Sequence, residues 1–377
     1  MYAEAYLKRA PILLAGLVGL AYLFLRRVLQ RRQTARRYGC QPVAHSLNWD
    51  PFLGLDLIPL TVRAAREHKM LEYGCKHFRD LGNTWKVREM LNTAVVTIEP
   101  ENVKAVLSTN FKDYGVGFRL EHFAPLLGAG IFDSDGEHWA ASRALVRPNF
   151  ARDQVADLTS FESLIQDMFA LLPRDGTTVV DLQALFFRYT MDSATEFLFG
   201  QSVGTLRKDE SELGFAEAFS YSQKAIITRA MFGPLAAFYR DPKAKRCNAI
   251  CRDFARIFVD QAVSTVEAEE KSGGAEQDGR QKYIFSQALA RHTSDKTRIL
   301  DELMNILLAG RDTTASLLSN MFFMLAKNPR CWEKLRNEVA GLDGRPPTYE
   351  ELRNLKYVQY CMNECEFPLV LSPIYPC

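Results

Sequence analysis

The chain has 377 residues, 47% hydrophobic and 24% charged, which is ordinary for a globular protein and enough to bury a sizeable core. A formal net charge of +2 gives no whole-chain electrostatic case for binding nucleic acid. Eight cysteines without a CxxC pair, and six scattered histidines, argue against a zinc site.

Residues 1–9 form a short N-terminal segment. The stretch APILLAGLVGLAYLFL (10–25) then carries no charge. Adding Val28 and Leu29, with neighbouring arginines snorkelling, extends it to an expected transmembrane anchor over 10–29. A cleaved signal peptide is the competing reading, but no small-residue cleavage site follows. Arg26, Arg27, Arg31, Arg32, Arg36 and Arg37 come instead, while only Lys8 and Arg9 precede the run. That asymmetry predicts a single-pass membrane protein whose body faces the cytosol, with a basic linker over 30–41 resting on membrane lipid. The absence of any N-x-S/T sequon agrees with this orientation.

From residue 42 onward the pattern is mostly helical. TWKVREMLNTAVVTIEP (84–100) reads as two short strands turning near Asn92. Helices are expected over 101–109, 153–172 and 248–270. EAEEKSGGAEQDGRQK (267–282) is the most polar segment and reads as a mobile surface loop. The pairs Cys247/Cys251 and Cys361/Cys365 stand at helical i,i+4 spacing and read as small buried thiols. No internal repeat is visible, and a mainly α domain with a small β-sheet is expected over 42–377.

The longest periodic segment runs from Asp295 to Lys327, with Ser294 or Asp295 as its cap and Asn328-Pro329 as its stop. Inside it lies ILLAGRDTTASLLSN (306–320). Gly310 could end one helix and Asp312 or Thr313 cap the next, which local propensity slightly favours. In an unbroken helix, Ala309 and Gly310 would instead leave room for a flat ligand against the backbone. Thr313 would bond back to the Ala309 carbonyl, and Asp312 and Thr313 would supply an acid and a hydroxyl for proton relay. Spacing alone leaves both readings open.

AGRDTT resembles the [AG]-G-x-[DE]-T-[TS] signature of the long central helix in cytochrome P-450 monooxygenases. Three further features occur in that family's order. GEHWAASRALVRPNF (136–150) resembles its W-x-x-x-R helix, TYEELRNLKYVQYCMNE (348–364) the approach to its E-x-x-R helix, and RRYGCQPV (36–43) its fungal membrane junction. Together with APLLGAGIFDSDGEHW (124–139), these features resemble the fungal alkane and fatty-acid hydroxylase branch. The resemblance implies the cytochrome P-450 fold and a haem b cofactor. Trp139 and Arg143 would hold a propionate, and Ala309, Gly310 and Thr314 would line the haem. Glu364 would be the motif's acid, and Asp312 and Thr313 the catalytic relay. It further implies an NADPH-cytochrome reductase partner, an endoplasmic-reticulum membrane setting and a small apolar substrate such as a fatty acid, an alkane or a secondary-metabolite intermediate.

The resemblance stops near residue 364. Phe367 stands where the motif's arginine belongs, EFPLVLSPIYPC (366–377) departs from the family, and no haem-ligating cysteine loop follows. Cys377 has no Gly or Arg setting and reads as incidental. The expectation is therefore an incomplete domain without its metal ligand. Two readings follow: a monooxygenase represented by a shortened chain, and a non-catalytic membrane-anchored remnant. Two weaker motifs are set aside. GAGIFDSDG (128–136) lacks the third Gly of a dinucleotide loop, and 133–144 lacks the Gly and Glu of a calcium loop.

Overall fold

A computed structural model describes residues 2–46, 50, 54–67, 69–89, 92–151, 158–208, 214–231, 236, 238–272 and 283–370. It divides into two compact units, Met1–Ala105 and Val106–Cys377.

The first unit begins with helix α1 (Tyr2–Tyr38). Between Arg9 and Arg26 its uncharged run rises only about 24 Å at 1.5 Å per residue, short of the roughly 30 Å hydrocarbon layer. Among the described residues no helix is long and apolar enough to cross a membrane, so the expected transmembrane span over 10–29 is not supported. Strand β1 (Ala44–His45), helices α2 (Leu57–Arg66) and α3 (Met70–Leu81), and strands β2 (Thr84–Glu89) and β3 (Asn92–Thr97) follow. The two strands expected from the sequence are thus present. β2 pairs antiparallel with β3, Thr84 opposite Thr97, and parallel with β1. The hydroxyls of Thr84 and Thr97 bond across the strand pair at 2.7 Å. Trp85 is buried beneath α3, stacked on His77 at 4.9 Å and edge-on to Phe78. The helix expected over 101–109 is present as α4 (Pro100–Lys104), continued by a wider π-helical segment over Ala105–Thr109.

The second unit is helical. In chain order it contains α5 (Arg119–Leu127), α6 (Gly136–Val146), α7 (Thr159–Ala170), α8 (Leu182–Phe199), α9 (Gly214–Met231), α10 (Pro242–Lys271) and α11 (Phe285–Ala290). These are followed by α12 (Lys296–Lys327), α13 (Pro329–Ala340), α14 (Tyr349–Asn354) and α15 (Lys356–Val370). Residues 153–157 of the helix expected over 153–172, and most of the expected polar loop (273–282), lie outside the described residues, as does Cys377. Cys247, Cys251 and Cys365 are buried free thiols and Cys361 is half-buried. Burial pushes the Cys251 thiol up to about 12, so it packs as an inert hydrophobe.

α12 is the spine. Its 32 residues span about 48 Å, and the Asp295 carboxylate caps its start by accepting the Thr297 and Arg298 N–H groups. It packs along α8 and also meets α5, α10, α11 and α15. Leu303, Met304 and Leu307 are fully buried and meet the core supplied by Val259, Phe285 and Leu289, and Ala315 is fully buried further along the helix. The helix runs through Gly310 without interruption. Local propensity offered a break there, but buried positions on both sides of Gly310 hold the two halves to one axis.

Candidate functional site

Gly310 is exposed on the spine, and a Cβ there would lie 3.8 Å from the Ala194 methyl, an ordinary contact. Helix packing therefore does not demand glycine at this position. Its effect is to remove bulk beside half-buried Ala309 and exposed Thr313 and Thr314. The Thr313 hydroxyl donates to the Ala309 carbonyl at 2.7 Å, the back-bond expected from the sequence. A hydroxyl and a bare stretch of helix backbone thus share one open strip.

Asp312 turns toward α9. Its Oδ2 accepts from Gln223 Nε2 at 2.5 Å and its Oδ1 from Arg311 at 3.1 Å. The Arg311 guanidinium also donates to Gln223 Oε1 at 2.9 Å and to Ser220 Oγ at 2.8 Å. It lies over the rings of Phe187 and Phe219. Only 8% of Arg311 is exposed. Burial lowers its pKa, with Asp312 opposing the shift, and burial raises that of Asp312, with Arg311 opposing. The sequence reading missed Arg311. The one available signal was an arginine flanked by apolar turns, and its partners Ser220 and Gln223 lie about ninety residues earlier.

Trp139 and Arg143 share a face of α6, with the guanidinium 5.4 Å from the indole ring centre and the Phe111 ring 5.1 Å from the indole. Trp139 is half-buried and Arg143 exposed. Among the described residues, neither side chain donates a hydrogen bond to a protein acceptor. Two adjacent N–H donors left open fit a carboxylate ligand such as a haem propionate. Glu364 is exposed on α15, which packs against the spine. Among the described residues there is no cluster of three or more His, Cys, Asp or Glu able to hold a metal ion.

The loop between α5 and α6 lies against the first half of the spine. Asp301 Oδ2 accepts from the Ala129 N–H at 2.9 Å, Glu302 Oε2 from Ile131 at 3.1 Å, and Asn305 Oδ1 from Phe132 at 3.1 Å. Asp133 in this loop is 1% exposed, and neither carboxylate oxygen has a hydrogen-bond partner among the described residues. Its carboxyl is pushed up to about 7, chiefly by burial and further by Asp301 and Glu302, against the pull of Arg119.

A pH dependence follows. The folded pKa of Asp133 lies above its unfolded value, so the folded chain holds the extra proton between about pH 4 and pH 7. Stability falls as pH rises through that window, by up to about 4 kcal/mol for a shift of this size. Asp133→Asn is expected to abolish that slope and to raise stability at pH 8. Urea unfolding across the pH range checks this, and an unchanged slope in the variant would refute it.

A family model described as Cytochrome P-450 matches residues 54–365. Cytochrome P-450 monooxygenase himC of Aspergillus japonicus is 44% identical over 338 residues, covering 89% of this chain and 61% of that protein. Cytochrome P-450 monooxygenase fsdH of Fusarium heterosporum is 42% identical over 369 residues, covering 96% of this chain and 64% of that protein. Cytochrome P-450 52A5 of Candida maltosa is 37% identical over 350 residues, covering 87% and 64%. The chain spans less than two thirds of the length of each of these relatives.

Proposed function

The chain belongs to the cytochrome P-450 family, and from that premise we propose that it serves haem-dependent monooxygenation of an apolar aliphatic substrate. The observation that carries this reading is the open strip on the spine, where the Thr313 hydroxyl bonds to Ala309 beside exposed Gly310 and Thr314. When bound, haem supplies the oxygen activation. Trp139 Nε1–H and the Arg143 guanidinium would hold its propionate, and Ala309 and Gly310 keep the spine free of bulk beside it. Thr313 holds a proton at Oγ1, aligned by its bond to the Ala309 carbonyl. Asp312 is the nearby carboxyl group, and burial raises its pKa against the opposing pull of its partner Arg311.

A long fatty acid or alkane is the proposed substrate class, following the branch resemblance, with a secondary-metabolite intermediate as the alternative. Electrons would come from NADPH through a membrane-bound reductase. Exposed Tyr22, Leu23, Phe24 and Leu25 beside the arginines of α1 suit contact with anionic membrane lipid. The endoplasmic-reticulum setting belongs to the same proposal.

Replacing Thr313 with Ala removes the hydroxyl and leaves the helix backbone bonded. In assays with haem, reductase and a long-chain fatty acid, the variant is expected to consume NADPH while forming about tenfold less product or lower. A Thr313→Ala protein that stays fully coupled would sink the relay.

A further inference from the structure

We infer that Asp301, Glu302 and Asn305 are positioning residues: they register the 128–135 loop on the spine and thereby place the Trp139–Arg143 face of α6. What that face holds rests on the haem reading; the placement itself does not.

The loop has three N–H groups, at Ala129, Ile131 and Phe132, with no backbone acceptor among the described residues. Each instead meets an acceptor on the spine. Asp301, Glu302 and Asn305 occupy i, i+1 and i+4, so their side chains form one patch on the helix. All three are buried. Their other bonds fix the patch in turn. Arg252 pairs with Asp301 at 2.8 Å and also donates to the Leu126 carbonyl. Asn305 Nδ2 donates to the Leu127 carbonyl at 3.1 Å and to the Asp301 carbonyl at 2.8 Å.

Register matters because little chain separates this patch from the candidate clamp. α6 starts at Gly136, four residues after Phe132, and Trp139 lies within its first turn. The loop is also tied to that turn directly, since His138 Nε2 donates to the Ala129 carbonyl at 2.8 Å. One turn further along α6, Arg298 of the spine donates to buried Ser142 at 3.1 Å. α6 is therefore referred to the spine at two points on either side of Trp139. A loop displaced by one helical turn of the spine, about 5.4 Å, would carry the start of α6 with it.

The test uses the whole chain without added haem and then with haemin. Asn305→Leu removes the acceptor for Phe132, and Asn305→Ser, too short to reach it, serves if the leucine variant does not fold. Hydrogen exchange at the Phe132 amide is expected to quicken about tenfold or more. The emission assigned to Trp139, taken as the difference from a Trp139→Phe chain, is expected to shift to the red as the indole loses its packing. Haemin affinity, read by Soret titration, is expected to fall about tenfold. Glu302→Gln keeps an oxygen for the Ile131 N–H and should leave Trp139 emission as in the parent. Leu325→Ala, buried at the far end of the spine, supplies the control for general loss of stability.

If Phe132 exchange quickens while Trp139 emission stays unchanged, the positioning role is wrong. It is equally wrong if Leu325→Ala moves that emission as far. Should the parent take up no haemin, the haem reading fails, and the Trp139 emission still decides the positioning.

Discussion

Gly128→Ala is expected to lower unfolding free energy by about 3–5 kcal/mol. Gly128 ends α5 with φ +72° and ψ −152°, a backbone region that essentially only glycine occupies. Geometry alone would cost an alanine there about 1–3 kcal/mol. The second contribution is steric: a Cβ at this position falls on the carboxylate of Asp301. Asp301 is a buried ion-pair partner of Arg252 and the acceptor for Ala129, so it has no free volume to retreat into without losing one of them. Displacing it leaves Arg252, 20% exposed by its side chain, without its carboxylate. Urea midpoints for the parent and the variant measure the effect. A loss below about 1 kcal/mol would mean the loop is not held against the spine as described.

Arg311→Met is expected to cost about 3 kcal/mol or more. Methionine matches the length of the arginine stem and keeps apolar contact with Phe187 and Phe219, so the loss isolates the guanidinium. Removing it takes from Asp312 its paired cation, from Gln223 Oε1 its donor and from Ser220 its partner, within one buried network. Breaking a buried pair costs more than deleting it, because the remaining charge stays desolvated. The double variant Arg311→Met with Asp312→Asn should therefore recover part of the loss, giving a coupling of about 1–3 kcal/mol in a double-mutant cycle. Additive losses would show that the two side chains do not act as a pair.

The parts legible in the sequence are those fixed by short-range pattern. The spine's cap at Asp295 and its stop at Asn328-Pro329 appear as expected. Thr348 and Glu351 form a reciprocal capping box at the start of α14, a pattern of three-residue spacing. The Thr313 back-bond to Ala309 followed from four-residue helix geometry. The break at Gly310 was open on propensity and closed by tertiary packing, which a local window does not contain.

What the sequence could not show depends on residues far apart in the chain. Gln223 finds Arg311 across 88 positions, and the three loop N–H groups find the spine across more than 170. The string LDELMN (300–305) carried a faint signal, since polar residues at i, i+1 and i+4 interrupt an apolar stripe. Nothing in it named the loop as partner. The N-terminal span lacks support for a different reason: among the described residues no helix is long and apolar enough to cross a membrane, even though the expectation extended the uncharged run to residue 29.

The central claim is that the open spine strip and the Trp139–Arg143 pair are two sides of one haem site. Titrating the purified chain with haemin and following the Soret band tests it most directly, with Arg143→Leu and Trp139→Phe run alongside. The account predicts saturable one-to-one uptake by the parent, weakened about tenfold or more in Arg143→Leu and less in Trp139→Phe, since the guanidinium carries the charge for a propionate. Uptake of equal affinity by all three chains, or no uptake by the parent, would contradict it.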